Sequence, residues 1–251
     1  MNRRSVASEH DLPDVGGDAV DPSPKLTQPL SQMVYDSLRE RIFLGTFSVG
    51  QVLRQEELAQ VFNVSRVPLR EALNRLQADG LIEARPRRGF AVTALNPDEI
   101  VEVFELRMVV EEHAGAIAAQ RRTAADVAAV EALLMKMEKL DPAIMAQQSE
   151  WIRLNYEFHS RIIASSGRKR LARIAGNLRS AVEPYVQTEL RMTGDVVDAG
   201  REHREMLEAF RAGDSIGLAE LSRVHVKGTS RRLLKGLRQG TLKNIRTRKP
   251  G

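Results

Sequence analysis

The 251-residue chain contains no cysteine. Disulfides, cysteine-ligated zinc, iron–sulfur clusters and a thiol nucleophile are therefore excluded. No run of about 18 apolar residues occurs, so no transmembrane helix is read. Arg3 and Arg4 are not followed by an apolar stretch, so no secretory signal is read and the expected location is cytoplasmic. Histidine is scarce, with five in the chain. Beyond residue 95 no strand pattern is found, which leaves the larger part of the molecule to helices.

Hydrophobic residues make up 42% of the chain, enough for one or two packed domains. The net charge of +5 is unevenly spread. Residues 28–95 carry nine basic side chains against seven acidic, residues 96–237 carry 21 of each, and residues 238–251 carry five basic and none acidic. A basic balance suits a polyanionic partner, but basic soluble enzymes are common, so charge alone does not decide.

Residues 1–27 are rich in Asp, Pro, Gly and Ser without apolar periodicity and are read as a disordered arm. Residues 28–95 form the first expected domain. Leu30, Val34, Leu38 and Ile42 recur every four positions on one helix face, and Gly45 ends that helix. A short second helix has Leu58, Ala59 and Phe62 as its inner face and breaks at Asn63. A third helix runs from Ser65 to Asp79-Gly80. Residues 81–84 and 90–93 read as strands joined by Arg85-Pro-Arg-Arg-Gly89, a hairpin with a basic tip. Leu95-Asn96-Pro97 marks the boundary, with Asn96 as cap of the next helix. From 96 to 238 helices are expected at 97–120, 123–140, 142–165, 168–192, 197–212 and 215–237. Residues 239–251 are read as a basic disordered tail. The fold class is thus mostly α: three helices and a β-hairpin wing joined to an all-helical bundle.

The third helix shows two different sides. Leu69, Ala72, Leu73 and Leu76 form an inward stripe, while Arg66 and Arg70 lie four apart on the other side beside Val67 and Asn74. Ser65 is a good N-cap residue and Pro68 sits in the first turn, where a missing N–H costs nothing. Arginine pairs bidentately with guanine O6 and N7 in the major groove, and a helix N-terminus favours phosphate. Alone, this is equally an amphipathic helix with a solvated basic face. Preceded by a second helix and a short turn, it makes a helix-turn-helix, and the basic hairpin after it makes a wing. Arg87 and Arg88 can reach the minor groove or the backbone, and Gly89 permits a tight turn near DNA.

The run Val64-Ser-Arg-Val-Pro-Leu-Arg-Glu-Ala-Leu73, with Leu76-Gln-Ala-Asp-Gly-Leu-Ile82 and Arg88-Gly-Phe-Ala-Val92, resembles the winged-helix signature of the GntR family. The resemblance covers the whole small domain. It implies a transcription factor that binds short palindromic operators as a homodimer, with Ser65, Arg66, Arg70 and Gly89 among its DNA contacts. Glu56 departs from members that carry a basic DNA-contacting residue there, so the operator sequence does not carry over.

His10 lies in the arm; His113, His159, His203 and His225 lie in the helical region. Asn155 and His159 are four apart on one helix face. His203 and His225 fall on the last two helices, which can pack as an antiparallel pair. Neutral imidazoles from three helices can converge on one transition metal with the Asn155 carbonyl oxygen as a further ligand. Spacing alone, however, favours three separate histidines with local hydrogen bonds. The set Glu105-Leu-Arg107, Glu111, Asn155-Tyr-Glu-Phe-His159, His203 and His225 resembles the C-terminal domain of the FadR-type branch, called FCD. That resemblance implies a metal held by an acidic residue and three histidines, here Asn155, His159, His203 and His225, with Asn in the place where Asp is frequent. Zinc or nickel suits imidazole ligands. It also implies that Arg107 holds the carboxylate of a small organic-acid effector rather than an acyl-CoA. The bland alternative for Arg107, taken to lie by the Leu106–Val110 face, is an ion pair with Glu111.

The expectation is an effector-controlled transcription factor, most simply a repressor, and not an enzyme. Two rivals stay open. A metal-dependent enzyme would need Glu157 or Glu202 as general base, and an architectural DNA binder would need no effector. Trp151, Phe158 and Tyr185 are read as core.

Overall fold

A computed structural model of the chain describes residues 29–43, 45–85, 89–142, 144–193 and 197–238. The element order is α1 (Leu30–Phe43), β1 (Val52–Leu53), α2 (Gln55–Phe62), α3 (Arg66–Ala78), β2 (Ile82–Arg85), β3 (Gly89–Val92), α4 (Pro97–Arg121), α5 (Ala124–Met137), α6 (Met145–Ala164), α7 (Lys169–Thr193), α8 (Val197–Ala212) and α9 (Ser215–Arg238).

The first part is a three-helix unit closed by a small sheet. Val34, Leu38 and Ile42 of α1 pack against Leu69, Leu73 and Leu76 of α3 and Leu58 of α2. Leu30, expected on that face, is exposed at the helix start. The α2–α3 turn is made by Asn63, which takes a left-handed conformation with φ 49° and ends α2. Asparagine tolerates that region better than most residues because its short polar side chain bonds locally.

The sheet has three antiparallel strands in the order β1-β3-β2, not the two expected. Two-residue β1 pairs Val52 with Ala91 and Leu53 with Phe90, too short to leave a period-2 pattern. Its carbonyl explains Gly89: φ is +84°, and a Cβ there would sit 3.3 Å from the Leu53 oxygen. A side chain is therefore disfavoured by the fold itself. Arg87 and Arg88, the expected wing tip, lie outside the described residues.

The second part is a bundle of α4 to α9. Asn96 and Thr123 start α4 and α5 with reciprocal capping boxes to Glu99 and Asp126. Pro97 occupies the first turn of α4. Helix α5 stops at Met137 rather than 140, because its end tightens into bonds from Lys139 to the Lys136 carbonyl and from Leu140 to that of Met137. Helix α6 starts at Met145 rather than 142, since the Pro142 carbonyl accepts from the Gln148 amide instead of a helical N–H. Helices α4 and α9 pack closely at Gly115, where a Cβ would meet Ser222 Oγ at 2.9 Å.

Of Val103, Leu106, Val110, Ala114 and Ile117, expected on the inward face of α4, Ala114 and Ile117 are buried, Val103 and Val110 are partly so, and Leu106 is not. Ile100, Phe104, Arg107, Glu111, Ala114 and Ala118 are buried, whereas Leu106 is 47% exposed. The Arg107–Glu111 pair itself occupies the inward line, which turns Leu106 to solvent. No described helix is long and apolar enough to cross a membrane.

Candidate nucleic-acid interface and candidate metal centre

Helix α3 separates its two sides sharply. Leu69, Ala72, Leu73 and Leu76 are fully buried, while Ser65, Arg66, Val67, Arg70 and Asn74 are exposed. Ser65 has the extended backbone of an N-cap (φ −70°, ψ 167°), but its hydroxyl makes no cap hydrogen bond. The first N–H groups of α3 therefore remain available to an outside acceptor. The guanidinium of Arg66 lies 3.9 Å from the Glu56 carboxylate on α2, with both side chains over 80% exposed. Such a pair is weakly held in water. Arg70 projects beside it, one turn on.

In the bundle, α6, α8 and α9 bring His159, His203 and His225 together. One ring nitrogen of each lies within 4.8 Å of the others, and all three rings are buried. His159 Nε2 and His203 Nε2 are 3.1 Å apart. Two lone pairs at that distance repel unless a proton or a cation lies between them. Burial pushes His159 and His203 well below the ordinary imidazole range, and lowers His225 against the pull of Glu202. The rings are therefore neutral and keep lone pairs to offer.

His225 Nδ1 faces Glu202 Oε2 at 2.6 Å. Donation of Nδ1–H to that carboxylate orients the ring and leaves Nε2 as its lone-pair nitrogen. Asn155 Oδ1 and His203 Nδ1 are buried without a hydrogen-bond partner. An orphaned buried carbonyl beside neutral imidazoles fits a cation: the donor set is N and O, neutral, and drawn from rigid helices.

Next to the histidines a cavity of about 50 Å³ is lined by Arg107, Asn155, Arg179, Glu183, His225 and Arg232, among others. Arg107 Nε donates to Glu111 Oε1 at 2.8 Å, and Arg179 Nη1 to Glu111 Oε2 at 3.0 Å. One carboxylate thus bridges two buried guanidinium groups. Burial pushes the Glu111 carboxyl up, but Arg107 and Arg179 outweigh it and hold it below the ordinary range. The Arg107–Glu111 ion pair is present, and both arginines also face the cavity. Nε of Arg179 has no partner. Buried Glu183 is pushed up, first by its loss of water.

Arg179 was not singled out from the sequence. Its signal was available: Arg179 and Glu183 repeat the four-residue Arg–Glu spacing of Arg107 and Glu111, within an apolar stretch holding Val182 and Tyr185. Phe158 and Tyr185 are core, while Trp151 is buried and borders the cavity. Both candidate general bases are engaged, Glu202 by His225 and Glu157 by Arg153.

Comparison with known families places the two parts of the chain. Residues 30–92 match the model described as bacterial regulatory proteins, gntR family. Residues 102–228 match the FCD domain model. The chain belongs to the GntR family and carries an FCD domain. A regulator of Bacillus subtilis (strain 168), the uncharacterized HTH-type transcriptional regulator YdhC, is 30% identical over 187 residues, covering 73% of this chain and 81% of the relative. The HTH-type transcriptional repressor GlaR of Escherichia coli (strain K12) is 29% identical over 199 residues, covering 76% of this chain and 90% of that protein. Among solved structures, E. coli McbR/YncC shares the fold with a TM-score of 0.73 at 22% identity, over 84% of this chain and all of that one. This GntR-family member is a DNA-binding transcriptional regulator with a ligand-binding FCD domain, and not an enzyme.

Proposed function

We propose that the protein is a homodimeric repressor that binds a palindromic operator and answers to a small carboxylate. Residues 28–95 read DNA, and residues 96–238 bind the effector and dimerise. In this reading Ser65, Arg66, Val67 and Arg70 enter the major groove, with Gly89 and the tip residues Arg87 and Arg88 following the backbone or minor groove. It acts in the cytoplasm, where its operator lies.

The observation that carries the regulatory half is the meeting of three neutral, buried histidines from three helices beside two cavity-facing arginines. His159, His203, His225 and the Asn155 oxygen would hold a divalent ion, zinc or nickel. Bound there, the ion supplies a positive centre for an effector carboxylate. Arg107 and Arg179 provide directed donors for the same group. Their shared partner Glu111 keeps them in place and neutralises part of their charge, so an incoming anion is met by positioned donors rather than by an excess of charge. The small cavity limits the effector to a few heavy atoms, and Asn in place of a carboxylate weakens the hold on the ion.

Metal content of the purified protein and its melting temperature with added zinc or nickel test the centre. A stoichiometric ion, or a clear rise in melting temperature, is expected. A thermal-shift screen of small carboxylates on the metal-loaded protein then tests the effector class. An operator fragment selected from random DNA tests the reader. Equal affinity for selected and scrambled fragments would leave an architectural binder in its place.

A further inference from the structure

We propose that Tyr156 and Gln187 couple the buried cavity to the DNA reader, by way of Arg39 and the Phe43 carbonyl on α1. The inference rests on the cavity being the ligand site.

Helix α1 does not itself face DNA, but it forms one wall of the core on which α3 sits, through Val34, Leu38 and Ile42. A shift of α1 therefore carries α3 with it, because a close-packed core does not deform continuously. On its other side α1 meets α6 and α7 of the bundle through polar contacts. Arg39 Nη2 donates to the Tyr156 hydroxyl and to Ser180 Oγ, the latter at 2.9 Å. The Arg39 guanidinium lies 5.3 Å from the Tyr156 ring centroid. Phe43 meets the same ring edge-on at 4.9 Å.

Tyr156 also touches a residue that lines the cavity. The Arg179 guanidinium lies 5.8 Å from its ring centroid, and Asn155 is its chain neighbour. One aromatic ring thus contacts a cation of the reader and a cation of the ligand site. An anion arriving at Arg179 draws on the same guanidinium that Glu111 and the Tyr156 ring now share.

The second link runs along α7. Glu183 lines the cavity and is hydrogen-bonded by Gln187, one turn on. Gln187 is 1% exposed, and its Nε2 donates to the Phe43 carbonyl at the end of α1. Gln187 Oε1 has no partner. A packing-only contact would favour an apolar side chain here; a buried amide with an orphaned oxygen costs stability and calls for another reason. Between the two positions, Pro184 lacks the N–H that would bond the Ser180 carbonyl. Helix α7 is locally weakened where it passes α1. Asn177 on the same helix donates to Asp79, the C-cap of α3, which also accepts from Tyr35 of α1. One helix therefore carries cavity residues and reader-facing residues within a few turns. A ligand that binds two positions of α7 unequally shifts the reader with it.

The test uses the full chain and metal ions alone as the probe. Wild type, Tyr156→Phe and Tyr156→Phe/Gln187→Met are compared. Phe keeps the ring and removes the hydroxyl; Met keeps the volume and removes the amide. Melting temperature with and without zinc or nickel reports binding. Hydrogen exchange across residues 30–43 and affinity for a selected operator report coupling. In wild type, metal is expected to alter α1 exchange and to change operator affinity about tenfold, within the usual ~5–150-fold range of such couplings. In the double variant the metal-induced rise in melting temperature persists, while the change in operator affinity falls to about twofold or less. A double variant that binds metal and keeps the full wild-type response overturns the proposal. So does a wild type that binds metal without any change at α1. Absence of metal binding in wild type instead sinks the site reading, and the coupling with it.

Discussion

Helix α3 holds Arg66 and Arg70 in open solvent, whereas α4 and α7 hold Arg107 and Arg179 at 5% and 3% exposure. The same side chain is used under opposite conditions. On α3 both guanidinium groups are exposed to water, and the contact of Arg66 with Glu56 is weakly held. In the bundle each has lost its water at folding, and Glu111 compensates both. The reader's chemistry is thus separable from its stability, while the bundle's chemistry is part of its stability.

Four variants and one change of pH sharpen or break that contrast, from the largest effect down. Arg66→Ala with Arg70→Ala should weaken specific operator binding by about a hundredfold or more, since bidentate base contacts contribute about 1–3 kcal/mol each. The melting temperature should hardly move. A gel-shift titration and a melt check both halves, and a large fall in melting temperature would show that these arginines are structural after all.

Glu111→Ala should do the reverse. It strands two buried guanidinium groups, a loss of about 3–5 kcal/mol. A denaturant titration should show it as a lower midpoint at an unchanged slope. If stability is retained, water reaches the cavity more freely than its burial indicates.

Acidification should separate the regions next. His159 and His203 are neutral when folded, because burial holds them well below the ordinary range. Once unfolded they take up protons near pH 6.5. Their contribution is fully present above about 6.5, and stability falls as pH drops below it, by up to about 1.4 kcal/mol per pH unit for each ring. Glu183, pushed up in the fold, has the opposite sign: its unfavourable effect is relieved as pH falls through its raised value. Melts of metal-free protein between pH 7.5 and 5 should decline on balance, and a flat profile would mean that the rings are accessible to protons in the fold.

The smallest effects lie in the reader's frame. Gly89→Ala should cost about 1–2 kcal/mol, from its positive φ and the Leu53 oxygen nearby. Ser65→Ala should cost less than about 0.5 kcal/mol, below the usual value of a cap, because its hydroxyl makes no cap bond. Operator affinity should nonetheless fall if that hydroxyl is reserved for DNA. Parallel melts and gel shifts of the two variants distinguish frame from contact.

The reader was legible because its pattern is local. Leu69, Ala72, Leu73 and Leu76 mark the inward side of α3, so Arg66 and Arg70 follow on the outward side from helical periodicity alone. Two-residue β1 was not legible, since its pairing with β3 depends on a partner some forty residues away. In the bundle, the residues Arg107, Asn155, His159, His203 and His225 could be named, but their assembly was implied only by the family resemblance and not by spacing.

By itself, the sequence determined the order of the helices and the hairpin, the exposed face of α3 and the family, because each is carried by contacts a few residues apart or by contiguous motifs. Tertiary structure decided the rest. It brought His159, His203 and His225 together from three helices. It turned Leu106 outward from the face on which Arg107 was expected, and set Arg179 beside Arg107 on a shared carboxylate. It also made α7 at once a wall of the cavity and a neighbour of α1. Those relations depend on which helices pack and at what rotation, and burial energy over the whole bundle sets that, which no local spacing encodes.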